Sequence, residues 1–143
     1  MPQPVQAAPF GFADDPAARA LIERIAMEEV MAAERALGHI PIDVSAQNKG
    51  YDIESVSGTT GCLRFIEVKG RAVGGDVIMV TRNELMCALN KGSDYVLAIV
   101  QVEEGYGRTP VYVRNFVGRE PGFAERAVAF DINKLMTVGT MPH

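Results

Sequence analysis

Cysteine and histidine are scarce, with two of each in 143 residues. Cys62 and Cys87 are too few and too far apart for a metal-finger spacing, and His39 and His143 show no partner spacing either. Both cysteines lie among apolar neighbours and are expected to be buried free thiols. No run approaches the ~18 to 20 apolar residues that a membrane span requires. Residues 1–12 lack a basic flank followed by a long apolar stretch, so no secretory leader is read there. A cytoplasmic location is the expectation. Positive charge is in deficit, 14 basic against 18 acidic residues for a net charge of −4. That argues against strong autonomous binding to nucleic acid, although a local or tethered contact stays open. Repeats and low-complexity tracts are absent, and Gly74-Gly75 is a turn rather than a phosphate loop because no Lys-Ser or Lys-Thr follows it.

What is present reads as one soluble globular domain. The chain is 48% hydrophobic and 22% charged. About two thirds of the unfolded surface can be buried at this length, so no disulfide or metal staple is needed. The Pro, Gln and Ala content of residues 1–13 reads as a linker, leaving 14–143 as the domain.

Asp14-Asp15-Pro16 signals a helix start, and the helical pattern runs to Leu37 with Gly38 as the stop. At about 100° per residue, Ala18, Ile22, Ile25, Ala26, Ala33, Ala36 and Leu37 form one stripe with Glu29 at its centre. Glu28 and Glu34 flank it, and Arg24 and Met31 fall opposite. A central carboxylate needs Lys69 or a shared metal as partner, unless a slight rotation carries Glu29 to solvent at an edge. Strand-like runs follow at residues 39–45, 51–56, 62–69 and 76–80, separated by turn residues. Thr81 with Glu84 makes a capping box, predicting a helix from there to about residue 90. Residues 95–102 are almost unbroken apolar sequence, as in a strand covered on both faces, and 110–116 form another strand. The tail from Phe123 holds a short helical piece at best. Together these elements predict an α/β architecture, a mixed sheet flanked by helices.

Three charges stand in apolar strands: Asp52, and the Glu67-Val68-Lys69 run. Burying each costs several kcal/mol unless it is paired or holds a metal. Strand alternation puts Leu63, Phe65, Glu67 and Lys69 on one face, and Arg64, Ile66 and Val68 on the other. A hairpin between the second and third strands can bring Asp52 beside Glu67. Two adjacent carboxylates repel unless a cation lies between them, and Mg²⁺ prefers such oxygen ligands. The bland alternative is a structural salt bridge on a solvated sheet face. Arg71 and Arg82 either flank this centre and meet phosphate or are simply solvated. Tyr51 either stacks on a base or packs beside the core, the latter being the safer expectation. Glu84 is explained by capping, and His143 is expected to be disordered.

The helix, three strands, helix, strand order with Asp52, Glu67 and Lys69 resembles the PD-(D/E)xK nuclease superfamily and its restriction-endonuclease-like αβββαβ core. More narrowly, Gly50-Tyr51-Asp52-Ile53-Glu54-Ser55, Arg64-Phe65-Ile66-Glu67-Val68-Lys69-Gly70-Arg71 and Thr81-Arg82-Asn83-Glu84-Leu85 resemble the domain named after the C-terminal region of the plant protein NO VEIN. The resemblance covers about residues 22–102. It implies phosphodiester cleavage with Mg²⁺ or Mn²⁺ held by Asp52, Glu67 and the main-chain carbonyl of Val68, and Lys69 positioning the attacking water. A helix carboxylate would complete the site. Some relatives carry it three residues before a helix Val; here that position, before Val30, is Met27, so Glu29 or Glu34 is expected to take over. The implied partners are nucleic acid, DNA ahead of RNA, and a helicase or other nucleic-acid ATPase module in the same or a partner chain. A homodimer that addresses two strands is a further expectation. The alternative is a catalytically weak or inactive nuclease fold that serves as a docking module.

Overall fold

A computed structural model describes residues 15–143. The expected linker at 1–13 lies outside the described residues. Asp15 caps the first helix, α1 (Pro16–Ala36), its side chain accepting a hydrogen bond from the Ala17 amide at 3.0 Å. Pro16 presets the first helical φ, and the chain leaves the helix through Gly38 at φ +86°.

Strands β1 (Ile40–Asp43), β2 (Ile53–Val56) and β3 (Leu63–Ala72) form an antiparallel meander. After β4 (Val77–Thr81) and helix α2 (Arg82–Lys91), strand β5 (Tyr95–Glu103) returns parallel to β3, from Phe65↔Tyr95 to Ala72↔Val102. This pairing carries β3 three residues past its expected end at Lys69. The short strands β6 (Tyr106–Gly107) and β7 (Val111–Val113) pair antiparallel with β5. The sheet is therefore mixed, and the α/β class is as expected.

The tail departs from expectation. It forms strand β8 (Ala127–Asp131) as well as helix α3 (Ile132–Val138). β4 leaves the main sheet and pairs with β8 as a separate ribbon. The physical reason lies in β4, whose Ile78 and Val80 are buried while its other residues are exposed. Its main chain needs a partner, and β8 supplies one with Phe130 opposite Ile78 and Val128 opposite Val80.

Two apolar layers sandwich the sheet. On one side α1 packs Ala26 and Val30 against Ile53, Ile66, Val96, Ala98 and Val100. On the other, Leu97 and Ile99 meet Ile78, Val80, Leu85, Ile132 and Leu135. β5 is thus buried on both faces, which explains its unbroken apolar sequence. Gly70 sets how closely α1 lies on β3: a methyl added there would fall 2.8 Å from Ala26 Cβ and 3.0 Å from the Ile22 carbonyl oxygen.

The buried face of α1 differs from the expected stripe. Ala26, Val30 and Glu34 are its buried residues. The centre is therefore Val30, one residue and about 100° from Glu29. Ala36 and Leu37 are exposed, and Met31 packs on the core. Counting the small alanines as apolar drew the expected stripe round; the helix instead buries the larger Val30 and an ion-paired Glu34.

Candidate functional site

The site arises where two strands fork. β2 pairs with β3 only from Val56↔Leu63 to Ile53↔Ile66, whereas β3 continues to Ala72 beside β5. Past Ile66, one edge of β3 is left facing a cleft. Asp52 stands at the fork and is held to β3 by two hydrogen bonds. Its amide donates to the Ile66 carbonyl at 2.8 Å, and its Oδ2 accepts from the Val68 amide at 2.8 Å. Continuing the register by one residue sets Asp52 opposite Glu67.

Strand alternation brings Glu67 and Lys69 together as expected, with Lys69 Nζ 3.2 Å from Glu67 Oε2. Glu84 joins them, its Oε1 accepting from Lys69 Nζ at 3.0 Å. The same Oε1 accepts from the Thr81 amide at 2.9 Å, and Thr81 Oγ1 accepts from the Glu84 amide at 3.2 Å. The capping box is real, and its Glu also belongs to the charged centre. Sequence reasoning read only the first of these roles. The signal for the second was that the box opens on the helix following the Glu-x-Lys strand.

Burial decides the charges. Glu67 is 4% exposed. Desolvation first, and then the negative charge of Asp52, push its carboxyl up to about 9, with Lys69 only partly compensating. Asp52 is also raised, by burial above all, although the Val68 amide and Lys69 pull against it. Burial alone would lower the Lys69 ammonium, but the carboxylates of Glu67 and Glu84 outweigh it and raise the pKa. For Glu84, burial pulls upward but Lys69 and the Thr81 amide win, and the group stays below its usual value.

The centre opens into a cleft of about 690 Å³. Its lining holds the carboxylates Glu23, Glu28, Asp43, Asp52, Glu67 and Glu84, and the basic side chains Arg24 and Lys69. Glu29 and Glu34 do not line it. Glu29 lies across β6, where a methyl added to Gly107 would meet its Cγ. Glu34 is fully buried elsewhere, gripped by Arg64 at 3.0 Å and 2.5 Å and by the Tyr112 hydroxyl at 2.7 Å. Burial would raise this carboxyl, but Arg64 and the Tyr112 hydroxyl hold it below its ordinary value. The α1 residues at the cleft are instead Ala20, Glu23, Arg24, Met27 and Glu28. The roughly 100° offset of the helix accounts for the substitution.

Other residues fall into structural roles. Tyr51 is in the core, donating to Glu54 Oε2 at 2.6 Å and meeting the Phe65 ring edge-on. Arg82 donates to the carbonyls of Gly122 and Glu125 at 2.7 Å and 3.1 Å, and Arg71 lies against Gly75. Contrary to expectation, Cys62 is exposed and Cys87 only half-buried, against Gly50. Cys62 closes a tight hairpin loop that turns its side chain outward. The His143 carbonyl accepts from Arg64 and Arg114 at 2.6 Å and 3.0 Å.

Among the described residues, no three His, Cys, Asp or Glu side chains gather closely enough to hold a metal by themselves. Mg²⁺ does not need that, taking one or two carboxylates with water and substrate oxygens. Asp52 and Glu67 are hard oxygen donors; burial above all, and then the charge of Asp52, raise the Glu67 carboxyl, and a cation between the two would favour its ionised form. The residues fit Mg²⁺ or Mn²⁺.

Fold and site define an α/β domain whose forked mixed sheet exposes an acidic cleft around one lysine. The chain belongs to the family described as Protein NO VEIN, C-terminal, whose family model matches residues 22–113. That span runs from α1 through β7 and contains Asp52, Glu67, Lys69 and Glu84. Comparison with curated proteins and with solved structures finds no match. Among the described residues, no helix is long and apolar enough to cross a membrane.

Proposed function

We propose that this domain is a PD-(D/E)xK-like nuclease that hydrolyses phosphodiester bonds with Mg²⁺ or Mn²⁺, with DNA ahead of RNA as substrate. The observation that supports this most is the carboxylate pair at the fork, Asp52 with the buried Glu67, next to Lys69 in an open cleft. Asp52 and Glu67, with the Val68 carbonyl, would hold the cation. When bound, it supplies Lewis-acid charge that acidifies water and offsets the negative charge gathering on the phosphate. Asp52 is kept in place by the Val68 amide, so its carboxylate needs no reorganisation. Lys69, held cationic by two carboxylates, orients the attacking water and neutralises charge on the phosphate. Tethering to a helicase or other nucleic-acid ATPase module would bring the polyanion to a domain whose net charge is −4. A homodimer would address two strands.

The direct test mixes the protein with Mg²⁺ or Mn²⁺ and labelled single- and double-stranded DNA and RNA. Cleavage of DNA that disappears in Lys69→Ala is expected. Wild-type protein that cuts no substrate sinks the reading, as does cutting that Lys69→Ala leaves untouched.

Two observations favour a second reading, an inactive nuclease fold used for docking. Met27 occupies the cleft-facing helix position, and six cleft carboxylates face two basic side chains. Capture of nucleic acid or of an ATPase module with no cleavage under any cation would select this alternative.

A further inference from the structure

We propose that Glu84 is a positioning residue for Lys69, transmitting the fixed start of helix α2 to the ammonium in the cleft. The functional consequence rests on the nuclease reading; the structural claim does not. Glu84 Oε1 is shared by two donors, the Thr81 amide at 2.9 Å and Lys69 Nζ at 3.0 Å. The first bond is half of the capping box, so the carboxylate is locked to the first turn of a ten-residue helix. That turn is itself fixed, since Leu85 is buried in the core beside β5. A lysine side chain has four rotatable carbons, and a single carboxylate leaves its ammonium free to pivot. Lys69 has two, Glu67 at 3.2 Å and Glu84 at 3.0 Å. They differ in what else they do. Glu67 lies opposite Asp52 and would share in holding a cation, whereas Glu84 is committed to the helix end. Once Glu67 serves a cation, Glu84 remains as the anchor of Lys69. The sequence reads Glu84 as a cap; the structure gives it a second partner that a cap does not require.

The test reads the Nζ protons of Lys69 in the intact, ¹⁵N-lysine-labelled chain, the resonance being assigned with Lys69→Arg. Three variants separate the roles. Thr81→Ala removes the hydroxyl half of the box but leaves the Glu84 carboxylate, and is expected to leave Lys69 exchange at the wild-type rate. Glu84→Ala is expected to speed exchange with water by about tenfold or more, the worth of one charge-assisted hydrogen bond. Glu84→Gln still qualifies for a capping box and keeps an acceptor oxygen, so it should fall between wild type and Glu84→Ala. Wild-type exchange in Glu84→Ala, or an equal effect of Thr81→Ala, overturns the proposal. Should Glu84→Ala fail to fold, the pair Glu84→Gln and Thr81→Ala decides, and faster exchange in Thr81→Ala overturns it. None of these readings requires cation, substrate or turnover. A chain that shows the expected order yet cuts nothing removes the nuclease reading alone. In a cutting domain, Glu84→Ala should lower kcat by about tenfold or more at nearly unchanged KM, with partial rescue by Glu84→Gln. An unchanged kcat counts against the proposal.

Discussion

Replacing Glu67 with Gln keeps the shape of the side chain and removes the carboxyl whose ionisation is most costly at the fork. The wild-type carboxyl, 4% exposed, is pushed up to about 9 by burial and by Asp52. Unfolded, it would titrate in the ordinary range, near 4.5. Between those values the folded chain keeps a proton that the unfolded chain has released. The native state binds more protons there, so stability falls as pH rises across the window. The limiting slope for one proton is about 1.4 kcal/mol per pH unit, giving about 2 to 3 kcal/mol of loss between about pH 5 and about pH 7. Glu67→Gln carries no such proton and loses this part of the slope. The metal-free variant should therefore be more stable than wild type near neutral pH, and the gap should widen upward to about pH 9. Denaturant unfolding followed by circular dichroism, with chelator present and at several pH values, measures both curves. Parallel curves for the two proteins would refute the argument, because Glu67 would then carry no raised pKa. Adding Mn²⁺ should stabilise wild type and leave Glu67→Gln unaffected.

Arg64→Ala strands the fully buried Glu34 carboxylate and should cost about 3 to 5 kcal/mol in denaturant unfolding; a loss below 1 kcal/mol would contradict the pairing described. Gly70→Ala drives a methyl to 3.0 Å from the Ile22 carbonyl oxygen, a main-chain atom that cannot swing aside. About 1 to 3 kcal/mol of destabilisation is expected, and a neutral effect would show that α1 does not approach β3 so closely. Met27→Glu places a carboxylate on the α1 face that lines the cleft. It should tighten Mn²⁺ binding by about tenfold in calorimetry, whereas unchanged or weaker binding would place position 27 outside the metal's reach.

Much of this fold was legible because local signals agreed with the packing. Asp15-Pro16 started α1, Thr81 and Glu84 started α2, and period-two alternation put Glu67 and Lys69 on one face. The continuous apolar run of β5 correctly announced burial on both faces. What stayed hidden depended on tertiary partners. β8 has only Val128 and Phe130 to present inward, too little pattern to show before β4 is seen to need a partner. The face of α1 could not be fixed by counting apolar residues, since Glu34 is buried only because Arg64, thirty positions away, reaches it. That offset also explains why Glu29, expected at the centre of the stripe, lies across β6 while Glu23 and Glu28 occupy the cleft wall. Glu84 was hidden differently: a complete local explanation, the cap, left no residual signal of its contact with Lys69.

The nuclease reading of the cleft depends on Asp52 and Glu67 forming a divalent-cation site. Calorimetric titration of Mn²⁺ into the wild-type chain, Asp52→Asn, Glu67→Gln and Glu29→Gln tests this most directly. Binding by wild type and Glu29→Gln, lost in both Asp52→Asn and Glu67→Gln, is the predicted result. Mn²⁺ that fails to bind the wild type, or binds all four proteins alike, would contradict the account.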